Sequence, residues 1–519
     1  MLSALKKAFF KENTVKGASL ILIVTLALSN ILGVFRDHFL ASRIPTDRLD
    51  IYFAAFRIPD LIFNVLILGS IAAAFVPVYS NYLKEKGREE ADKLAQTTMT
   101  VGIIILIVSI VLLYFFIPSL MTLLVPSFDI AKRQETISLA RWLLISPLFF
   151  GFSYFIGGFL NAHKRFLAYS IAPLVYNLSI IAGVLIFSGT HGVGGAVIGV
   201  IIGAFLHMAI QIPSLLQVGF KPRFILDFKN EGMQRILKLM VPRAIGLGAN
   251  QIMLFAFTGF ASAFAGGIAI YNFADNIQTV PSVIFGNSFA MAVFPTLAAL
   301  SVKVKEEKDQ FEAYFLKSIK AILFFMIPAT VLLIILRAQV IRIILGYGFF
   351  GWSDTKTASA TLGLFAVGII AQGLVPLFAR SFYAMHDTKT PMYASIIAII
   401  TSVLIGFGFS RIATDAVFGI STLALAFSVG SWINLFVLMY KLKSKIDLQT
   451  VRVISFVFNV IFITFVMAIA VQMSKYLVAS FLDIDRVRFL AVQILVALGV
   501  GLGSYLGLAW IFKFEEIRK

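Results

Sequence analysis

The sequence predicts an all-α polytopic membrane protein of about fourteen transmembrane helices, arranged as two parallel-repeat six-helix lobes plus two further helices at the C-terminal end. Three observations predict it. Only 13% of the 519 residues are charged and 59% are hydrophobic, with a mean hydropathy of +0.93, whereas a soluble domain carries about 25% charge. Apolar runs long enough to cross a bilayer, about 20 residues each, recur along the whole chain. Landmarks in the first half return about 218 residues later.

Helices are the expected spanning element because backbone amides in lipid need partners within their own segment. A β-barrel would show ten-residue stretches of alternating polarity; runs such as Val101–Phe116 and Ile454–Val471 do not alternate. Fourteen spans are read near 18–40, 50–83, 97–124, 136–160, 168–189, 193–217, 234–264, 267–300, 311–336, 357–385, 390–410, 417–441, 453–475 and 488–512. Lys6, Lys7, Lys11 and Lys16 precede the first run, which leads into Arg36-Asp37-His38; this reads as an uncleaved first helix rather than a signal peptide. With the N-terminus in the cytoplasm, 28 Lys and Arg fall in cytoplasmic segments against 12 opposite, so both termini are expected in the cytoplasm of a multi-pass inner-membrane protein. The same bias explains the net charge of +18 without a nucleic-acid partner.

The repeat sets the domain organisation. Tyr52, Gly69 and Pro77 of span two return as Tyr271, Gly286 and Pro295 of span eight, and Gly195 returns as Gly419. Six spans separate the copies. That even number gives both lobes the same membrane orientation, the parallel duplication found in transporters. The expected division is 1–218, 219–445 and a pair of extra helices in 446–519, with the polar connector after Gly219 between the lobes.

Some chemistry is excluded. Cysteine is absent, the five histidines have no metal-ligand spacing, and neither a nucleotide-binding P-loop nor a Ser-His-Asp set is present. No enzyme, metal or cofactor is expected; the membrane potential or a monovalent cation would be the driving force. Ionisable residues inside spans are costly and tend to face an interior cavity. Arg36 and Asp37 close span one, Arg57 and Asp60 flank Pro59, Arg243 opens span seven, Asp275-Asn276 lie in span eight and Arg380 in span ten. Together they suggest a cationic chamber for an anionic head group, since the planar guanidinium can bond two phosphate oxygens. The plainer alternative is neutralisation: Arg57 by Asp60, and Arg36 by Asp37 or Asp50. Arg380 and Arg141 could also snorkel to a span end. Pro59, Gly69, Pro281 and Gly286 are candidate hinges, because proline removes a helical hydrogen bond.

Read together, several stretches resemble a known family. These are Leu32-Gly33…Arg36-Asp37; Phe53…Arg57…Pro59 with Gly69 and Ala74-Phe75-Val76-Pro77; Leu160-Asn161…Arg165-Phe166 with Pro173 and Asn177; Pro242…Gly246…Gln251; Tyr271…Asp275 with Pro281 and Pro295; and Gly346…Gly348 followed by Phe382-Tyr383-Ala384…Asp387…Pro391. In order and spacing they are similar to the MurJ (MviN) lipid II flippases of the MOP exporter superfamily. The resemblance implies two lobes in a V. It also implies translocation of the undecaprenyl-pyrophosphate-linked peptidoglycan precursor, lipid II, from the inner to the outer leaflet by alternating access, with cavity arginines on the pyrophosphate and a groove beside the last two helices for the polyprenyl tail. A monomer is expected. Arg36, Asp37, Arg57 and Asp275 match the family pattern. Asn30, the Phe63-Asn64 pair and Asn276 stand where the family carries cations, so the phosphate clamp is either lost or carried by Arg57, Arg243 and Arg380. Phe257 occupies the place of a carboxylate that holds a coupling cation in some members. The rival readings are an exporter of another polyprenyl-linked oligosaccharide or of a small molecule, and a non-transporting membrane scaffold.

Overall fold

The computed structural model describes residues 15–68, 74–300, 305–413, 415–447, 450–483 and 486–518, all helix, turn or connector, with no strand among them. The basic stretch before residue 15 and the candidate hinge Gly69 lie outside the described residues. Eleven described helices are long and apolar enough to cross a membrane. The remaining three of the fourteen expected spans fall on Val15–Arg43, on the interrupted stretch Thr46–Glu85, and on the charged helix Glu231–Ala261. Two compact units emerge, 1–268 and 269–519.

The first unit holds α1 (Val15–Arg43), α2 (Thr46–Ile62), α3 (Val76–Glu85), α4 (Gly87–Leu124), α5 (Ile130–Leu143), α6 (Ser146–Ala162), α7 (Phe166–His191), α8 (Val193–Ala209), α9 (Ile212–Val218) and α10 (Glu231–Ala261). Between lipid-facing helices apolar burial gives little drive, so close approach of small residues does the packing. Gly195, Gly199 and Gly203 form an i,i+4 stripe on α8 that meets α7: a Cβ on Gly183 would lie 2.4 Å from the Cα of Gly199. Helix starts are capped where sequence supplies an acceptor, as Asp129 takes the Lys132 amide and Asn230 the Met233 amide.

This unit runs past the polar connector expected to separate the lobes. The cause is local. Gly219 turns the chain in a left-handed conformation (φ 82°), and the connector is then strapped to α4: Gln96 donates to the Lys221 carbonyl, the Ile225 amide to Thr100, and Arg88 to the Val218 carbonyl. Gly232 on α10 sits against Tyr82, where a Cβ would lie 2.7 Å from the ring.

The second unit holds most of α11 (Gly267–Pro281), then α12 (Ser288–Ala299), α13 (Lys305–Ile344), α14 (Trp352–Ala384), α15 (Lys389–Ile412), α16 (Ala416–Lys443), α17 (Thr450–Phe481), α18 (Val487–Ile511) and the short α19 (Glu515–Arg518). Its core is aromatic: Phe311, Phe315, Phe324, Phe378 and Phe382 are almost fully buried. Gly368 against Ser428 and Gly430 against Ser402 repeat the small-residue packing on α16.

The internal repeat is visible in backbone geometry. In both copies an α-helix gives way to one turn of π-helix, at Phe63–Leu68 after α2 and at Ser282–Asn287 after α11. At each turn a local side chain bonds a nearby carbonyl: Asn64 donates to the Asp60 carbonyl at 2.9 Å and Ser288 to the Val283 carbonyl at 3.1 Å. Two further equivalent points follow α6 and α14. Lys164 (φ 56°) and His386 (φ 58°) are left-handed non-glycine residues, and the next amide in each case, from Arg165 or Asp387, reaches back to the carbonyl of Leu160 or Phe382 at 2.9 Å. This is the Schellman closure that satisfies the last carbonyls of a helix.

Candidate functional site

Arg36 lies in α1, a quarter exposed, and its guanidinium is engaged on two sides. Nε and Nη2 both donate to one oxygen of Asp37, at 3.0 and 2.8 Å, while Nη1 donates to Asn177 of α7 at 3.2 Å. Asn177 in turn donates to Ser29 and to the Pro173 carbonyl. Asp37 is thus the acid that neutralises Arg36. Asp50, the other partner considered, is fully buried and holds Lys132 at 3.2 Å and the Gly266 amide at 2.8 Å.

Arg57 is 7% exposed in the middle of α2. Its Nε donates to the Thr258 hydroxyl of α10 at 2.8 Å, and Thr258 donates onward to the Leu254 carbonyl. One turn away, Asp60 lines a cavity of about 220 Å³ between α2, the π turn, α6, α7 and α8, walled by Phe56, Phe150, Tyr154, Tyr176 and His207. His207 is held by Ser153, whose hydroxyl lies 2.6 Å from Nδ1, and Gln211 donates to the same hydroxyl. The sequence offered Asp60 both as a chamber residue and as a partner for Arg57, and gave His207 and Ser153 no role. The available signal was a histidine inside an apolar span, which an intramembrane polar site explains better than a metal does.

In the second unit Asp275 and Arg380 enter two separate polar contacts along α14. Asp275 of α11 accepts from Gln278 at 2.9 Å, and Gln278 accepts from Gln372 of α14 at 3.0 Å. Arg380 of α14 donates to the Asn287 side chain at 2.8 Å, at the end of the π turn, so it is anchored between helices rather than snorkelling. Gly286 lies in that turn against Gly373 of α14. Pro281 ends α11 immediately before the turn, and Pro59 precedes the equivalent turn by four residues. Asn276 belongs to the same helix. The side chain of Arg243 in α10 lies outside the described residues. Arg141 stacks on Tyr114, 4.7 Å from the ring centroid. No cluster of three metal-ligating side chains occurs among the described residues.

This architecture defines a class. Duplicated bundles of long apolar helices with intramembrane arginines and acids are the fold of the MOP transporter superfamily. Two solved structures share it: a lipid II flippase MurJ in an inward closed conformation (TM-score 0.78, 23% identity, covering 95% of this chain and all of that one), and an inward-facing multidrug resistance MATE transporter (TM-score 0.64, 15% identity, covering 82% and 98%).

The chain belongs to the lipid II flippase MurJ family, whose model matches residues 46–490. It is 25% identical over 505 residues to a probable lipid II flippase MurJ of Rickettsia prowazekii, covering 96% of this chain and 97% of that protein. It is 28% identical over 439 residues to the Haemophilus influenzae counterpart, covering 81% and 84%. The family is one of transporters, not enzymes, and with its many spans the chain is a bacterial inner-membrane protein.

Proposed function

We propose that the chain carries lipid II from the inner to the outer leaflet by alternating access. The family match over residues 46–490, joined to relatives that align along nearly their full length, carries this reading. The pyrophosphate head group would be met by Arg36, Arg57, Arg243 and Arg380, with Asp37, Asp275 and Asn276 as the other substrate-binding candidates. Arg36 starts paired with Asp37, so a phosphate would have to replace that carboxylate on the guanidinium fork. The exchange trades one charge-assisted pair for another at small net cost.

The reading includes fourteen spans and three parts, 1–218, 219–445 and 446–519, with both termini in the cytoplasm and a monomer as the working unit. Pro59, Gly69, Pro281 and Gly286 serve as hinges. The paired π turns support that assignment, because such turns are weak points of an α-helix and gather at functional sites. No nucleotide site is needed: a membrane potential contributes about 2.3 kcal/mol per charge per 100 mV, and a monovalent cation is the alternative drive.

The test is translocation of lipid II by the purified protein in liposomes, alongside growth of a strain depleted of its own flippase. Transport by the parent chain and loss in Arg57→Ala is the expected result. A parent chain that leaves lipid II on its starting leaflet overturns the reading.

A further inference from the structure

A cavity of about 420 Å³ in the second unit is lined by none of the charged residues assigned to the head group. It opens where α13, α17 and the end of α18 meet. Lys317 and Lys320 reach it from α13, Arg452 from the first turn of α17, and Lys513 from the turn after α18; Glu515 and Glu516 are the acids at its rim. Four cations against two carboxylates leave a net charge of +2.

The positive-inside bias puts cations at this end of the spans, but two of them sit at a local cost. Arg452 lies at a helix N-terminus, where the dipole disfavours a cation. Lys513 occupies a left-handed backbone position (φ 57°), which costs a non-glycine residue of order 1 kcal/mol. That turn has an evident result. It closes α18 through the Phe514 amide to the Ala509 carbonyl at 3.0 Å. Phe514 is thereby sunk between Phe324 and Phe456, with centroids 5.6 Å away in both cases, and Lys513 is left at the cavity mouth. Lys320 stands 5.5 Å from the Phe456 centroid, so the floor is aromatic and the rim cationic.

The surroundings select the ligand. Leu316, Phe456, Phe512 and Phe514 line the cavity together with the cations, and α13, α17 and α18 are long enough to span a bilayer. An occupant with a phosphate at the rim and apolar chains against that lining satisfies both halves; a soluble phosphate satisfies only one. Basic pockets between spanning helices are a recurrent site for acidic lipid head groups. We propose that the cavity between Lys317, Lys320, Arg452 and Lys513 binds the phosphodiester head group of an anionic phospholipid in the leaflet on the C-terminal side, as a bound lipid distinct from the transported one.

The test uses the full chain, purified and stripped of lipid in a nonionic detergent, with thermal unfolding followed during titration. Phosphatidylglycerol should raise the midpoint saturably, and phosphatidylcholine and glycerol 3-phosphate should not. Lys317→Gln and Lys320→Gln should each weaken half-saturation roughly fivefold. Lys513→Gly controls for folding: it relieves the left-handed strain, so the lipid-free midpoint should hold or rise while phosphatidylglycerol binding weakens. Equal effects of the two lipids, or unchanged half-saturation in all three variants, would overturn the site. A matching rise with glycerol 3-phosphate would assign it to soluble phosphates and overturn the lipid assignment.

Discussion

Gly286 and Gly373 touch backbone to backbone: a Cβ on Gly286 would lie 2.5 Å from both the Cα and the carbonyl oxygen of Gly373. The contact falls inside the π turn of the second copy, between the polar anchors Gln278–Gln372 and Arg380–Asn287. Backbone rather than a flexible side chain stands in the way, so α14 must retreat to admit even a methyl group. Gly286→Ala should cost about 1–3 kcal/mol by overpacking and lower the unfolding midpoint in detergent. An unchanged midpoint would mean the turn yields freely and is not clamped by α14.

Arg57 invites a sharper question than simple deletion, because it also holds α10 through Thr258. Thr258→Val keeps the cation and removes the hydrogen bond; Arg57→Ala removes both. If the cation serves substrate, growth of a flippase-depleted strain should survive the first change and fail with the second. Equal failure in both, at equal protein abundance, would make Arg57 a structural tie. Arg36→Ala should fail alongside Arg57→Ala, and full growth of both would reject their assignment.

Much of this was legible in the sequence, for physical reasons that differ by element. Long apolar runs announce themselves because lipid forbids charge, so α4, α7, α13 and α16 fall where hydropathy puts them. Asp37 as the partner of Arg36 follows from adjacency. What sequence could not convey was the route of the polar connector, since its strapping to α4 depends on Gln96 and Thr100, 125 residues upstream of the groups they meet. The π turns were also hidden: Pro59 and Pro281 mark a weak point, but whether a helix kinks or widens depends on neighbours such as Asn64 and Gly373. His207 went unnoticed because its partner Ser153 lies 54 residues away.

The pair Lys132–Asp50 should carry more stability than any surface bridge. Asp50 is fully buried, with Lys132 at 3.2 Å and the Gly266 amide at 2.8 Å. Removing one partner of such a pair leaves an uncompensated buried charge, typically 3–5 kcal/mol. Lys132→Met should show a destabilisation of that order in denaturant unfolding, and Arg48→Met less, since the Arg48–Glu135 bridge at 2.6 Å is half-exposed on both sides. Similar losses in the two variants would reject the burial argument.

A last expectation concerns pH, at the loop after α14. Burial acts to raise the Asp387 carboxyl. It is outweighed by the Thr390 amide at 3.0 Å, Lys445 at 3.0 Å and the Thr390 hydroxyl at 2.8 Å, which together lower its pKa to about 2. A carboxyl whose folded pKa is depressed favours the folded state at pH above its unfolded value of about 3.9, and that contribution disappears as pH falls through about 2. The link joins the α14–α15 loop to the α16–α17 loop, so it should hold that end of the second unit together at neutral pH. Asp387→Asn should therefore unfold at a lower temperature than the parent chain at pH 7, and the gap should narrow steadily between pH 4 and pH 2. A gap that stays constant across that range would show that the carboxylate charge contributes nothing there, leaving shape alone to account for the loop.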